Sequence, residues 1–186
     1  MYFIMMYGVA ASGKSSLAKY IKKNKEFPYT GIRFSGDTEF DIIEPDNIRR
    51  QFYKERLEEV FRKTLDPEVE KKVWGKVMDL VENNIKYNID TILDSTMLIK
   101  DRRTEMLDHI RSWSKKYGTN IILILAVVDT PLETILKWNK KRPLVVNEEV
   151  IRYMYEKRYD KNEKPDFDTE KYNLIFYFEP LKYKII

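Results

Sequence analysis

The sequence predicts an α/β domain on a mostly parallel central sheet, with helices on both faces. Three observations predict it. Short apolar runs alternate along the chain with longer segments of helical periodicity. The runs Tyr2–Tyr7 and Ile121–Val128 are nearly unbroken by polar residues, as strands buried on both faces are. The six glycines and seven prolines fall mostly between these segments, where turns belong. With 186 residues the chain suits one domain, 1–186, that buries roughly 70% of its unfolded surface.

Each element has a local reason. Tyr2–Tyr7 is a strand, Gly8–Ser15 a glycine-bounded turn, and Ser15–Lys25 a helix with Leu17, Ala18 and Ile21 on one face. Lys25–Ile43 is irregular, with short strands expected at Ile32–Phe34 and Phe40–Ile43. Asp46 suits the cap of a helix from Asn47 to about Lys63, whose apolar positions are Ile48, Phe52, Leu57, Val60 and Phe61. Asp66-Pro67-Glu68 opens the next helix, with aspartate at the cap and proline at the first turn. Thr91–Leu93 is a strand ending at Asp94. Asp101–Tyr117 is a helix stopped by Gly118. After Ile121–Val128 come helices over Pro131–Lys141 and Glu148–Tyr159, then a strand over Asn173–Phe178.

Composition removes several classes of function. There is no cysteine, which excludes disulfides, thiolate metal sites and cysteine nucleophiles. One histidine, His109, excludes a His cluster and argues against a Ser-His-Asp triad. No run approaches the roughly 20 apolar residues of a membrane span. Residues 1–6 lack a basic segment and a cleavage site, so no signal peptide and a cytoplasmic location are expected. The net charge of +4 permits a phosphate-rich partner without requiring one.

Ligands of parallel sheets bind beyond the carboxyl ends of the strands, so the residues that follow each strand carry the chemistry. After the first strand, Gly8-Val9-Ala10-Ala11-Ser12-Gly13-Lys14-Ser15 fits G-x-x-x-x-G-K-[ST]. Gly8 and Gly13 let the backbone turn its amides onto a phosphate, and the next helix presents its positive end. Ala10, Ala11, Ser12 and Ser16 complete the cradle. Lys14, expected in a solvated loop, brings a point charge to the β- and γ-phosphates, and the Ser15 hydroxyl is a magnesium ligand. ATP and Mg²⁺ are the expected cofactors. A guanine-nucleotide switch is disfavoured, because Asn139-Lys140-Lys141-Arg142 lacks the aspartate of its base-reading segment.

Asp46 is either a helix cap or a base that accepts a hydroxyl proton, with Arg49 one turn on to hold an anionic acceptor. Asp94 is either a turn residue or a Walker B aspartate next to the phosphate loop. Lys137, Lys140, Lys141 and Arg142 end a helix before Pro143, as a basic turn of a lid does. Trp138 beside it is a packing residue or a stacking platform for a base.

Together these segments resemble the phage-type polynucleotide 5′-hydroxyl kinase domain, within the small P-loop kinases. The matching pieces are Gly8–Ser16, Asp46-x-x-Arg49, Leu93-Asp94-Ser95-Thr96 with Arg102-Arg103, and Asp129-Thr130-Pro131 through Arg142 to Met154-Tyr155. The resemblance implies a P-loop kinase fold of about five strands, with a helical lid over residues 131–160. It implies that Asp46 is the general base, that Arg49 grips the acceptor phosphate, and that Arg142 contacts the ATP phosphates. Asp94, Thr96 and Arg103 join the acceptor side. The implied partner is a 5′-hydroxyl nucleic acid, with no membrane and no obligate protein partner. Two readings stand beside it: a kinase of a nucleoside or other small hydroxyl compound, and a non-catalytic ATP-binding regulatory module. Met97 stands where the family often has asparagine, and Trp138 where it has a second lid arginine. Asp166-Phe167-Asp168-Thr169 is similar to the D-x-D of a phosphatase, but no strand precedes it and a loop is expected.

Overall fold

The computed structural model describes residues 1–35, 39–53 and 66–183. Its strands are β1 Tyr2–Tyr7, β2 Asp41–Ile43, β3 Thr91–Leu93, β4 Ile122–Val128 and β5 Leu174–Phe178. All pair in parallel, in the order β2-β3-β1-β4-β5. This is the parallel α/β sheet that the alternation of elements predicts, in the P-loop kinase-like arrangement that the resemblance implies. The strand order reverses direction at β1, which has β3 on one side and β4 on the other. That reversal opens a crevice at the carboxyl end of β1, where Gly8 begins.

Side-chain alternation divides the core in two. Phe3, Met5 and Tyr7 of β1 share one cluster with Leu93, Leu123, Leu125 and Val127, covered by Val73, Val77, Val81, Leu107 and Ile110. Ile4 and Met6 point the other way, to Leu17, Ala18, Ile21, Phe27, Ile124, Ala126 and Phe176. Both faces of the sheet are covered, so its strands read as continuous apolar runs. A third cluster joins Val9 of the phosphate loop to Ile135 and Ile151.

The helices are α1 Lys14–Asn24, α2 Pro45–Phe52, α3 Pro67–Lys86, α4 Lys100–Tyr117, α5 Leu132–Asn139, α6 Glu148–Tyr159, and the short α7 Phe167–Glu170 and α8 Pro180–Tyr183. Several follow the sequence signals closely. The Asp66 carboxylate accepts from the Glu68 amide at 2.9 Å, and α4 closes on Gly118 at φ 67°. Two expectations are corrected. Asp46 is not a cap: Glu44 holds that position and Pro45 opens α2, which leaves Asp46 inside the first turn. Proline's fixed φ favours the first helical position, and this moves the start of the helix upstream. Ile32–Phe34 forms no strand but one bridge, between Glu26 and Arg33, while Phe34 turns into the aromatic core. The helix expected to run to about Lys63 ends at Phe52, with Tyr53 as its extended C-cap; the rest of that expectation, with Leu57, Val60 and Phe61, lies outside the described residues. Among the described residues no helix is long and apolar enough to cross a membrane.

Candidate active site

The phosphate loop sits between the segments that follow β3 and β4. The Gly8 amide donates to the Thr96 carbonyl at 3.1 Å, and the Thr130 hydroxyl donates to the Ser12 carbonyl at 2.7 Å. Thr96 thus acts on the loop through its backbone. Gly8 has a φ of 157°, and a Cβ there would lie 3.0 Å from both the Ser12 Oγ and the Val128 carbonyl oxygen. Only glycine fits so close an approach. Ala11 and Gly13 also take left-handed backbone, at φ 62° and 102°. An alanine in that region stores strain of the sort that collects at ligand-binding loops. The Ser12 Oγ is buried without a hydrogen-bond partner, so the loop holds a donor ready for a ligand.

Lys14 departs from the solvated position expected of it. Its ammonium is buried, 7% exposed for the residue, and donates to the Val9 carbonyl at 2.7 Å. Burial pulls its pKa down to about 8; the carboxylates of Asp94 and Asp46 oppose that fall, and the guanidiniums of Arg142 and Arg158 add to it. Residues from four separate stretches of sequence therefore act on one ammonium. A neighbouring triphosphate restores the charged form. Between pH 8 and 10.5 the ligand-free protein is therefore expected to lose the Lys14 proton, and a phosphate-bound form to keep it. Nucleotide binding at pH 9 should take up close to one proton, and Lys14→Ala should abolish that uptake. Calorimetry in buffers of different ionisation enthalpy measures it.

The region expected to take the acceptor is built by α2 and α3. Arg49 Nη1 donates to Asp46 Oδ1 at 2.6 Å. Its Nε and Nη2 donate to the two Glu70 oxygens at 2.8 and 2.6 Å. Arg49 is nearly buried at 11% exposure, whereas the Asp46 side chain is 52% exposed. The fork of Arg49 is thus engaged by Glu70, and its remaining face orients Asp46. Glu70 lies 21 residues from Arg49 on another helix, and nothing in the local pattern marks it. Glu44 is a second residue the sequence does not single out. Burial first, then the nearby Asp94 carboxylate, raises its pKa above the usual range.

Arg103 is corrected from acceptor ligand to core residue. It is fully buried; its Nε and Nη2 pair with Glu170 at 2.9 and 2.7 Å, and it also donates to the Met97 and Glu163 carbonyls. Reaching an acceptor would break a buried ion pair, which leaves a charge uncompensated. Asp166–Glu170 serves this pair: α7 presents Glu170, and the Asp166 carboxylate accepts from the Asp168 amide at 3.0 Å. Arg102 remains exposed, with its guanidinium 4.8 Å from the Trp74 ring centre. Trp138 sits beside the loop: its Cζ3 is 3.8 Å from where a Gly13 Cβ would stand, and Pro180 Cγ is 3.4 Å from the same point. His109 packs its ring on Trp113, outside this site.

Ser15 and Ser16 are exposed on the first turn of α1. Among the described residues no group of three His, Cys, Asp or Glu could hold a metal. One hydroxyl at Ser15 with Asp94 close to Lys14 suits a magnesium ion that takes its other ligands from phosphates and water.

A family model described as an AAA domain matches residues 3–160. No curated protein matches the chain by sequence. Among solved structures, a sugar kinase from Janibacter sp. HTCC2649 superposes with a TM-score of 0.61 at 14% identity, over 96% of this chain and 84% of that one. A chain of the Pnkp1/Rnl/Hen1 RNA repair complex gives 0.60 at 19%, over 89% of this chain and 46% of that one. Chaetomium thermophilum Kti12, solved with ADP-AlF3, gives 0.55 at 14%, over 95% and 88%. These likenesses are of fold.

Proposed function

The chain belongs to the AAA domain family, and on that premise we propose that it is an ATP- and magnesium-dependent kinase of the 5′-hydroxyl of DNA or RNA. One observation carries the reading. Asp46 stands half-exposed, held by an arginine that Glu70 fixes, and its carboxylate acts on the ammonium of the phosphate loop. A carboxylate that can serve as base thus stands within electrostatic reach of the phosphate loop, which supports phosphoryl transfer over a pure nucleotide switch.

In the reaction the acceptor oxygen attacks the γ-phosphorus as the bond from that phosphorus to the β–γ bridging oxygen breaks, and ADP leaves with the electron pair. Asp46 accepts the hydroxyl proton through the oxygen that Arg49 does not hold. Lys14 leaves the Val9 carbonyl for the β- and γ-oxygens, and Arg142 neutralises the charge they share. Magnesium at Ser15 would supply further charge neutralisation. Trp138 and Pro180 flank the loop where a nucleotide's base can lie against them.

A second reading, a kinase of a nucleoside or other small hydroxyl compound, is favoured by the engagement of the Arg49 fork with Glu70. An acceptor phosphate must share Arg49 with that carboxylate. Kinetics decide between them. On the polynucleotide reading, Arg49→Ala should raise KM for a 5′-hydroxyl oligonucleotide tenfold or more, at about 1.4 kcal/mol per decade, and leave KM for ATP within about twofold. Salt should weaken oligonucleotide binding to the wild type. If nucleosides without phosphate serve as well as oligonucleotides, and Arg49→Ala does not separate them, the small-molecule reading replaces it.

A further inference from the structure

Three buried polar side-chain atoms among the described residues have no hydrogen-bond partner: Ser12 Oγ, Trp74 Nε1 and Arg158 Nη1. The first and last flank one dipeptide at the end of β4. Thr130 holds the carbonyl of Ser12, and Asp129 Oδ1 pairs with Arg158 Nη2 at 2.7 Å. Arg158 closes the last turn of α6, with its side chain only 5% exposed. Its carbonyl accepts from the Tyr7 hydroxyl at 3.2 Å, and its guanidinium lies 5.3 Å from the Tyr159 ring centre. The same protein satisfies its other deeply buried guanidinium, Arg103, with four hydrogen bonds. Among the described residues an open donor on a buried cation is therefore particular to this place, and it calls for a strong anionic acceptor.

We propose that Arg158 Nη1 receives a non-bridging phosphate oxygen of the bound nucleoside triphosphate, with Asp129 holding the guanidinium in place beforehand. The proposal rests on the phosphate-loop reading. The charge of Arg158 acts on the Lys14 ammonium alongside that of Arg142, so both guanidiniums lie within electrostatic reach of the loop. Arg158 would thereby supply a second phosphate-facing arginine from the far end of the helical pair, where Trp138 stands in the nearer position. It would also join the α6 end, the phosphate loop and the β4 end through Asp129 and Thr130, so that a bound phosphate draws the helix toward the loop.

The test is equilibrium binding of inorganic tripolyphosphate and of ATP to the wild type, Arg158→Lys and Lys14→Ala. Lysine keeps a cation beside Asp129 but loses the fork. Arg158→Lys is expected to weaken both ligands at least about tenfold and to shrink the ligand-induced rise in melting temperature, while the ligand-free melting temperature stays near that of the wild type. Binding within twofold of the wild type, with Lys14→Ala defective, overturns the Arg158 assignment alone. A wild type that binds neither ligand overturns the phosphate-loop reading with it. Should Arg158→Lys not fold, NMR of arginine-labelled wild-type protein decides. The Arg158 side-chain resonance should shift, and its proton exchange should slow, on titration with tripolyphosphate; an unmoved resonance overturns the proposal.

Discussion

Lys14→Ala should abolish phosphoryl transfer while leaving the protein folded. On the proposed mechanism the ammonium is the charge that the loop brings to the β- and γ-phosphates, and its removal is expected to lower kcat/KM by at least about 10³-fold. Stability should change little, for a reason opposite to solvation. Lys14 is buried in the ligand-free protein, and its lowered pKa shows that folding holds a charge away from water there. A lysine whose folded pKa lies below its unfolded one opposes folding below pH 8, and this penalty fades as pH rises from 8 toward 10.5. Wild-type stability should therefore gain from this residue across that window, and Lys14→Ala should lose the gain. Its melting temperature near pH 7 should equal or exceed the wild-type value. Thermal melts from pH 7 to 10.5 and single-turnover transfer assays check both halves; a fully active Lys14→Ala would remove the phosphate-loop assignment.

Asp46→Asn should separate chemistry from structure at the other end of the reaction. The amide keeps an oxygen for Arg49 Nη1, and an ion pair with a half-exposed partner contributes only about 0.2–1 kcal/mol. Since Asp46 lies inside the first turn of α2 and not at its cap, no capping bond is lost. What disappears, on the proposed mechanism, is the acceptor for the hydroxyl proton, worth roughly 10²–10⁴-fold in rate. ATP affinity should be unchanged. Rapid-quench measurement of transfer to a 5′-hydroxyl oligonucleotide, beside ATP binding, tests this. Near-wild-type rates would deny Asp46 the role of base.

Much of the donor side was legible in the chain because its signals are local. Gly8 and Gly13 are demanded by backbone conformation within a few residues, and the Asp66-Pro67 and Gly118 boundaries obey the chemistry of helix ends. The nearly unbroken apolar runs of β1 and β4 announce a sheet covered on both faces. The acceptor side was less legible. Asp46 reads as a cap by residue type alone, until Pro45 claims the helix start. Arg103 and Arg102 are indistinguishable in sequence, yet one is sealed in the core with Glu170 and the other lies on Trp74 in the open.

The sequence by itself determined the parallel α/β fold and the phosphate cradle, since periodicity and backbone geometry act between near neighbours. Only the tertiary structure decided which charges meet. Glu70 reaches Arg49 across 21 residues, Glu170 reaches Arg103 across 67, and Arg158 comes back to Asp129 at the end of β4. Ion pairing depends on distance in space and on exclusion of water, and neither is encoded in the spacing of residues along a chain.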